Sequence, residues 1–355
     1  MFVEITNAPR DYAWGSTTLI PELLGVAPDG RPQAEIWLGT HPASPSRVDG
    51  RDGDLRDLVG ELPFLLKILA AGAPLSLQTH PTTAQAEAGF ARENAAGIAL
   101  DAPDRNYKDP HAKPEMIYVL SDEFRALSAF RPVADTRAVL DGVDPGLLPD
   151  LRTDADLKPV VERLLTTDVA AEVAAITAAA RDAVGESWAT VRLLAEHYPG
   201  DPGVVVSVLL HTVVLTRGEA LYLPAGNIHA YLSGLGVELM GPSDNVLRCG
   251  LTRKHVDVPE LLSVVDFTPL VDPRLTPESV GADTVFAPSG AGWELVELPR
   301  TREYRVERPE LLIVLEGAAS GDGVRVDAPG FVAASDTVVH VDGRVVAARA
   351  GQTSS

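Results

Sequence analysis

Four short segments carry residues whose types and spacing could do chemistry. In SLQTHP, Gln78 and His80 lie two apart, which on a strand puts both side chains on one face. Imidazole is the commonest metal ligand and an amide oxygen a rarer one, so the pair could hold zinc; it equally fits an exposed polar face. In HAKPEMIYVL, Glu115 opens an apolar run directly after a proline that keeps its neighbour extended. Its carboxylate stands at the mouth of a strand, either as a metal ligand or as an ordinary solvated glutamate. RGEALYLPAGNIHAY contains G-x-x-x-x-x-P-x-G-x-x-H, filled by Gly218, Pro224, Gly226 and His229. This reads as a strand, a tight turn and a second strand that presents a histidine. Finally, in VELMGPSDNVLRCGLTRKHVDVPEL, the cations Arg248, Arg253, Lys254 and His255 crowd a few residues of a very acidic chain. Such a group suits an anion site, although basic residues also offset neighbouring acids on a surface.

The elements that must position these residues are mostly short strands. Up to about residue 120 the chain alternates strand-length apolar runs (AEIWLG, PFLLKILAAG, PLSLQTHP, PEMIYVLS) with Pro, Gly and Asp. From Asp154 to Tyr198 there is one proline and one glycine, and apolar residues recur at three- and four-residue intervals, which predicts helices. Strand character is read again from GVVVSVLLHTVVLTRGEALYLPAG to about Leu251, and once more in WELVELP, YRVERP, ELLIVLEG, GVRVDAPG and TVVHVDG. The expected organisation is a β domain at 1–122 plus 203–266, a helical insertion at 123–202, and a C-terminal β domain at 267–355 ending in a frayed GQTSS tail.

With 355 residues, 45% of them hydrophobic, the chain has ample material for a core, and its 28 prolines and 30 glycines suit many turns. A formal net charge of −20 argues against nucleic-acid binding, which needs phosphate-neutralising Lys and Arg. The start MFVEITNAPRDYAWG lacks a basic region followed by an apolar stretch, and the longest apolar run, near Val204–Leu215, is broken by His211. One cysteine, Cys249, allows no intramolecular disulfide. These features lead us to expect a soluble, cytoplasmic protein that binds neither nucleic acid nor membrane; a monomer is also expected.

The PAG turn with His229 resembles the second conserved motif of cupins, small jelly-roll barrels whose inner face often carries a metal, although Ser233 stands where an Asn is usual. In order, LQTHP, the KPEM turn, YLPAGNIHAY and SDNVLRCGLTRKHVD resemble type I mannose-6-phosphate isomerase, and DYAWGS, EIWLGTHP and ELLIVLEG extend the likeness over most of the chain. The resemblance implies a mainly β fold, with a catalytic and a C-terminal cupin-type jelly-roll barrel and an α-helical insertion. It implies one Zn²⁺ per chain, held by Gln78, His80, Glu115 and His229, and interconversion of mannose 6-phosphate and fructose 6-phosphate through an enediol.

Matched motif by motif, the family's important arginine falls on Arg248 and its lysines on Lys113 and Lys254, while His41, Ser76, Glu238 and Asp244 fall on pocket-lining positions. Arg248 is expected to stabilise the enediolate, with Lys254 and Arg253 attracting the phosphate against the acidic field of the chain. The base is left open among Lys113, Glu238, Asp244, Lys254, His41 and a water on the metal. This chain departs from the family pattern in three places: H-A-K-P-E instead of N-H-K-P-E, so that the histidine moves to His111 and Ala112 takes its place; MGPSDN; and LTRK, which puts Arg253 where a proline is common. Two rival readings are an isomerase of another sugar on the same scaffold and a sugar-phosphate sensor without turnover. The C-terminal section has a single histidine, His340, and neither ligand pattern, so it is expected to be a degenerate buttressing barrel.

Overall fold

The computed structural model describes residues 1–351; residues 352–355, the end of the tail expected to fray, lie outside the described residues. Two ten-stranded antiparallel sheets, each curled towards a jelly roll, account for the β-rich ends of the chain. The catalytic sheet is organised around one long strand, His229–Met240. Its first half pairs with Leu77–Thr79 and Phe124–Phe130, and its second half with Leu65–Ala71 and Glu115–Val119. The change of partners falls at a register shift after Tyr231, followed by Gly234 at φ +118. A Cβ at Gly234 would stand 2.7 Å from the Phe124 ring, so only glycine lets the strand bend there.

The helical block begins later than the expected residue 123, because Phe124–Phe130 is a barrel strand; the first helix of the block is Val133–Asp141. The block also ends later. Gly203–Val206 is α-helical and Ser207–Leu209 a 3₁₀ turn, and the strand expected from Gly203 begins at Leu210. The run is buried on every side, so it has no periodicity to distinguish helix from strand. Asp201 Oδ1 accepts from the Gly203 amide at 2.7 Å and starts the helix there. The alanine-rich helices behave as their periodicity predicts. Leu157–Thr166 buries Leu157, Val160, Val161 and Leu164 as one stripe, turned towards the helices Val258–Val264 and Gly203–Val206.

The first strand, Phe2–Thr6, does not join the catalytic sheet as expected from its place in the chain. It pairs with Gly330–Ala334 in the C-terminal sheet, and the Met1 amine is held by the Ser335 carbonyl at 2.6 Å and Asp322 at 2.9 Å. An apolar cluster shared by both sheets, with Ile36, Leu66 and Ile68 from one and Leu295, Ile313 and Val346 from the other, binds the two barrels together. Among the described residues, no helix is long and apolar enough to cross a membrane.

Candidate metal centre and cleft

His229 opens the long strand, and the PAG turn before it fixes where that strand starts. Gly226 takes φ +81 with its amide donating to the His80 carbonyl at 2.8 Å, so the turn ties the segments of two histidines together. Across the ladder, His229 faces Gln78, and Gln78 in turn faces Arg248, which puts the three side chains on one side of the sheet. Glu115 opens its strand opposite Met240.

His80, Glu115 and His229 are buried, and their ligating atoms all lie within 4.8 Å of one another. His80 Nε2 is 3.2 Å from Glu115 Oε1 and His229 Nε2 3.3 Å from Glu115 Oε2. Each imidazole donates its Nδ1–H to a backbone carbonyl, His80 to Asn245 (2.7 Å) and His229 to Asn227 (3.1 Å). Both Nε2 atoms therefore carry lone pairs, and both are buried without a hydrogen-bond partner. Burial pushes the His80 imidazole down to about 4, against the pull of Glu115. Burial alone would raise Glu115, but Lys113, with Nζ 2.9 Å from Oε1, and then His80 hold it well below the usual carboxylate range. Two lone-pair imidazoles and an ionised carboxylate, with the Gln78 amide beside them, fit a zinc ion.

Next to this centre lies a cleft of about 490 Å³. Ser76, Gln78, Lys113, Asp244, Arg248, Arg253 and Lys254 line it, so seven of the twelve expected site residues converge on one space. The three metal-centre residues do not line it; they lie behind Gln78 and Lys113. His41 lines a neighbouring cavity of about 380 Å³ that shares Asp244 as a wall, with His41 Nε2 3.7 Å from Asp244 Oδ2. Glu238 is buried out of the cleft, paired with Lys67 at 2.9 Å. His111 faces the His41 cavity rather than the cleft.

Three residues that sequence reasoning passed over shape the site. Lys67 lines the cleft over the Trp37 ring; burial works against its charge, but Glu238 and Glu35 hold it protonated far above the usual lysine range. A lysine inside the run PFLLKILAAG was a visible signal for it. Asn245 is fully buried: its side chain accepts from the Lys108 amide (2.6 Å) and donates to the carbonyls of Asp109 (2.8 Å) and His111 (2.9 Å), while its own carbonyl orients His80. Asp201 reaches across from the end of the helical block to the basic loop, accepting from the amides of Leu251 (2.9 Å) and Thr252 (3.3 Å). Leu251 sits at φ +52, a left-handed conformation that a leucine keeps only when its surroundings hold it.

Comparison with known proteins places this arrangement. Residues 2–133 match the family model for the phosphomannose isomerase type I catalytic domain. The mannose-6-phosphate isomerase of Salmonella typhimurium is 40% identical over 294 residues, covering 75% of this chain and 75% of its own. The chain belongs to the mannose-6-phosphate isomerase family. The Escherichia coli family member is 41% identical over 74% of each chain, and the human one 31% identical over 75% of this chain and 73% of its own. A crystal structure of the Salmonella typhimurium mannose-6-phosphate isomerase bound to fructose 6-phosphate and zinc covers 98% of this chain and 99% of its own, with a TM-score of 0.91 and 33% identity.

Proposed function

We propose that this chain is a zinc-dependent aldose-ketose isomerase that interconverts mannose 6-phosphate and fructose 6-phosphate. One observation carries the reading: a buried centre with two unpartnered imidazole lone pairs stands beside a cleft that also holds unpaired cations. Arg248, Arg253 and Lys254 form no ion pair among the described residues, and burial together with Arg248 lowers the Lys254 ammonium. Unneutralised cations in a chain of net charge −20 suit a phosphate ligand.

Gln78, His80, Glu115 and His229 would hold the zinc, which supplies a Lewis acid for the charge that develops on the sugar oxygens. Arg248, facing Gln78 across the ladder beside the metal row, stabilises the enediolate, while Arg253 and Lys254 hold the phosphate. Lys67, held protonated, donates to a sugar oxygen, and Glu238 positions it from behind. Lys113 serves the centre through Glu115. Ser76 contributes a hydroxyl to the cleft wall. The carboxylates lining the cleft are Glu35 and Asp244; Glu35 is engaged by the Trp37 indole at 2.7 Å, which leaves Asp244, steadied by His41, as the base for C2. A single cysteine suits the reducing cytoplasm.

The test is formation of fructose 6-phosphate from mannose 6-phosphate before chelation, after chelation and after zinc is restored, with free mannose alongside. Loss and recovery of activity on the phosphorylated sugar is the expected result. Equal rates on free mannose would remove the phosphate from the reading. Asp244→Asn should stop exchange of the C2 proton with solvent, and Arg248→Ala should cut turnover about 100-fold, both at full zinc content; undiminished exchange or turnover would strike the residue from its role.

A further inference from the structure

A cleft of about 920 Å³ lies apart from the catalytic one. It lies in the helical block, between the helices Val133–Asp141, Ala170–Ala179 and Glu186–His197 and the strand Leu210–Leu215, and shares no lining residue with the catalytic cleft. Ala138, Val139, Ala179 and Trp188 give it apolar walls, and its volume is within the range of small-molecule sites.

One wall is Arg131, only 8% exposed and without an ion pair. A guanidinium has five donors, and here two are used: Nη1 to Ser187 Oγ at 3.1 Å, and Nη2 to the Val208 carbonyl. Its Nε is buried with no partner, and so is the hydroxyl of Thr212, another lining residue. Burial lowers the Arg131 guanidinium to about 10, so it remains a cation at neutral pH, with Asp135 as the one carboxylate close enough to oppose the shift. Buried charges are normally paired, because removing an ion from water costs several kcal/mol. The countercharge missing from the fold is what a ligand would bring.

We propose that this cleft is a second binding site, for a small monocarboxylate with an apolar body, whose carboxylate pairs with Arg131. The single cation sets the ligand's charge at one; Glu186 is already paired with Arg125, and Asp182 on the same cleft disfavours a phosphate dianion more than a monoanion. The apolar walls accept a short alkyl or aromatic body.

The experiment is calorimetric titration of the zinc-loaded full chain, saturated with fructose 6-phosphate so that the catalytic cleft is filled, with hexanoate, benzoate and inorganic phosphate. Hexanoate or benzoate should bind, and phosphate should not. Arg131→Gln should weaken carboxylate binding at least tenfold. Ala138→Phe, which narrows the cleft while leaving Arg131 in place, should weaken it at least tenfold with isomerase turnover unchanged, and serves by itself if the arginine variant fails to fold. No heat from either carboxylate, binding undiminished by Ala138→Phe, or phosphate binding as tightly as hexanoate would each overturn the proposal.

Discussion

The basic loop is held by a residue far from the chemistry, and Asp201 gives the sharpest test of the reasoning. Its carboxylate accepts from the Leu251 and Thr252 amides and from the Gly203 amide, and Leu251 adopts a positive φ just before Arg253 and Lys254. A hydrogen bond to a charged group contributes about 1.5–3 kcal/mol, and a left-handed leucine costs about 1–2 kcal/mol. In Asp201→Ala the loop loses two such bonds and relaxes to an ordinary conformation, which displaces both cations. If half of one bond's worth reaches the bound phosphate, the loss is about 0.75–1.5 kcal/mol, roughly a 4- to 12-fold change. We expect KM for mannose 6-phosphate to rise by about that factor, with kcat changed less and zinc content unchanged. Asp201→Asn keeps an oxygen for Leu251 and Gly203 and should lose only a few-fold. Steady-state kinetics with metal analysis reads all of this. If Asp201→Ala keeps its KM, the loop is not held by that carboxylate and the argument fails. A fall in kcat at constant KM would likewise refute it, since it would place Asp201 at the chemistry and not at the phosphate.

Three further outcomes follow from the geometry. His229→Ala should lose both zinc and activity, and full zinc occupancy in the purified variant would undo the ligand assignment. Lys67→Met leaves Glu238 and Glu35 buried without their cation and should cost about 3–5 kcal/mol in urea unfolding; adding Glu238→Leu should return much of that stability without activity, and a stable single variant would count against an ionised pair. In the C-terminal barrel, burial raises the Glu310 carboxyl to about 7, with the Tyr304 hydroxyl donating to it at 2.7 Å. The folded state therefore binds a proton that the unfolded state releases between about pH 4.5 and 7, so this group's contribution falls as pH rises through that window. Glu310→Gln, which can still accept from Tyr304, should match the parent chain at pH 4.5 and exceed it by about 1–3 kcal/mol at pH 8; equal melting curves at pH 8 would contradict the shift.

Local signals were legible in this sequence and long-range partnerships were not. The PAG turn needs a glycine at φ +81 and delivers His229 three residues later, and both facts are written in consecutive letters. The helical stripe Leu157, Val160, Val161, Leu164 announces its buried face in the same way. By contrast, nothing near Asp201 says that its carboxylate crosses to Leu251, because the contact exists only once the helical block lies against the basic loop. Asn245 is ordinary turn chemistry in sequence, and its hold on Lys108, Asp109 and His111 depends on a loop more than a hundred residues upstream. The all-apolar run before Leu210 could not declare helix or strand, since burial on every side erases the pattern that tells them apart. The place of Glu238, behind Lys67 and out of the cleft, follows from strand register, which no single segment encodes.

The pairing of Phe2–Thr6 with Gly330–Ala334 has a consequence for how the molecule is made. Arg47–Val48 can pair with Ile5 and Thr6 soon after they are made, but Phe2, Val3 and Glu4 wait for Val332–Ala334, roughly 15–65 s later at bacterial and eukaryotic elongation rates. Phe2, buried at the end, lacks those partners for that interval. Closure of the C-terminal barrel is therefore a late event in the making of the chain. A transcript truncated anywhere before residue 330 would yield a chain whose Phe2–Glu4 segment has no strand beside it in that barrel, a ready target for chaperones and proteases.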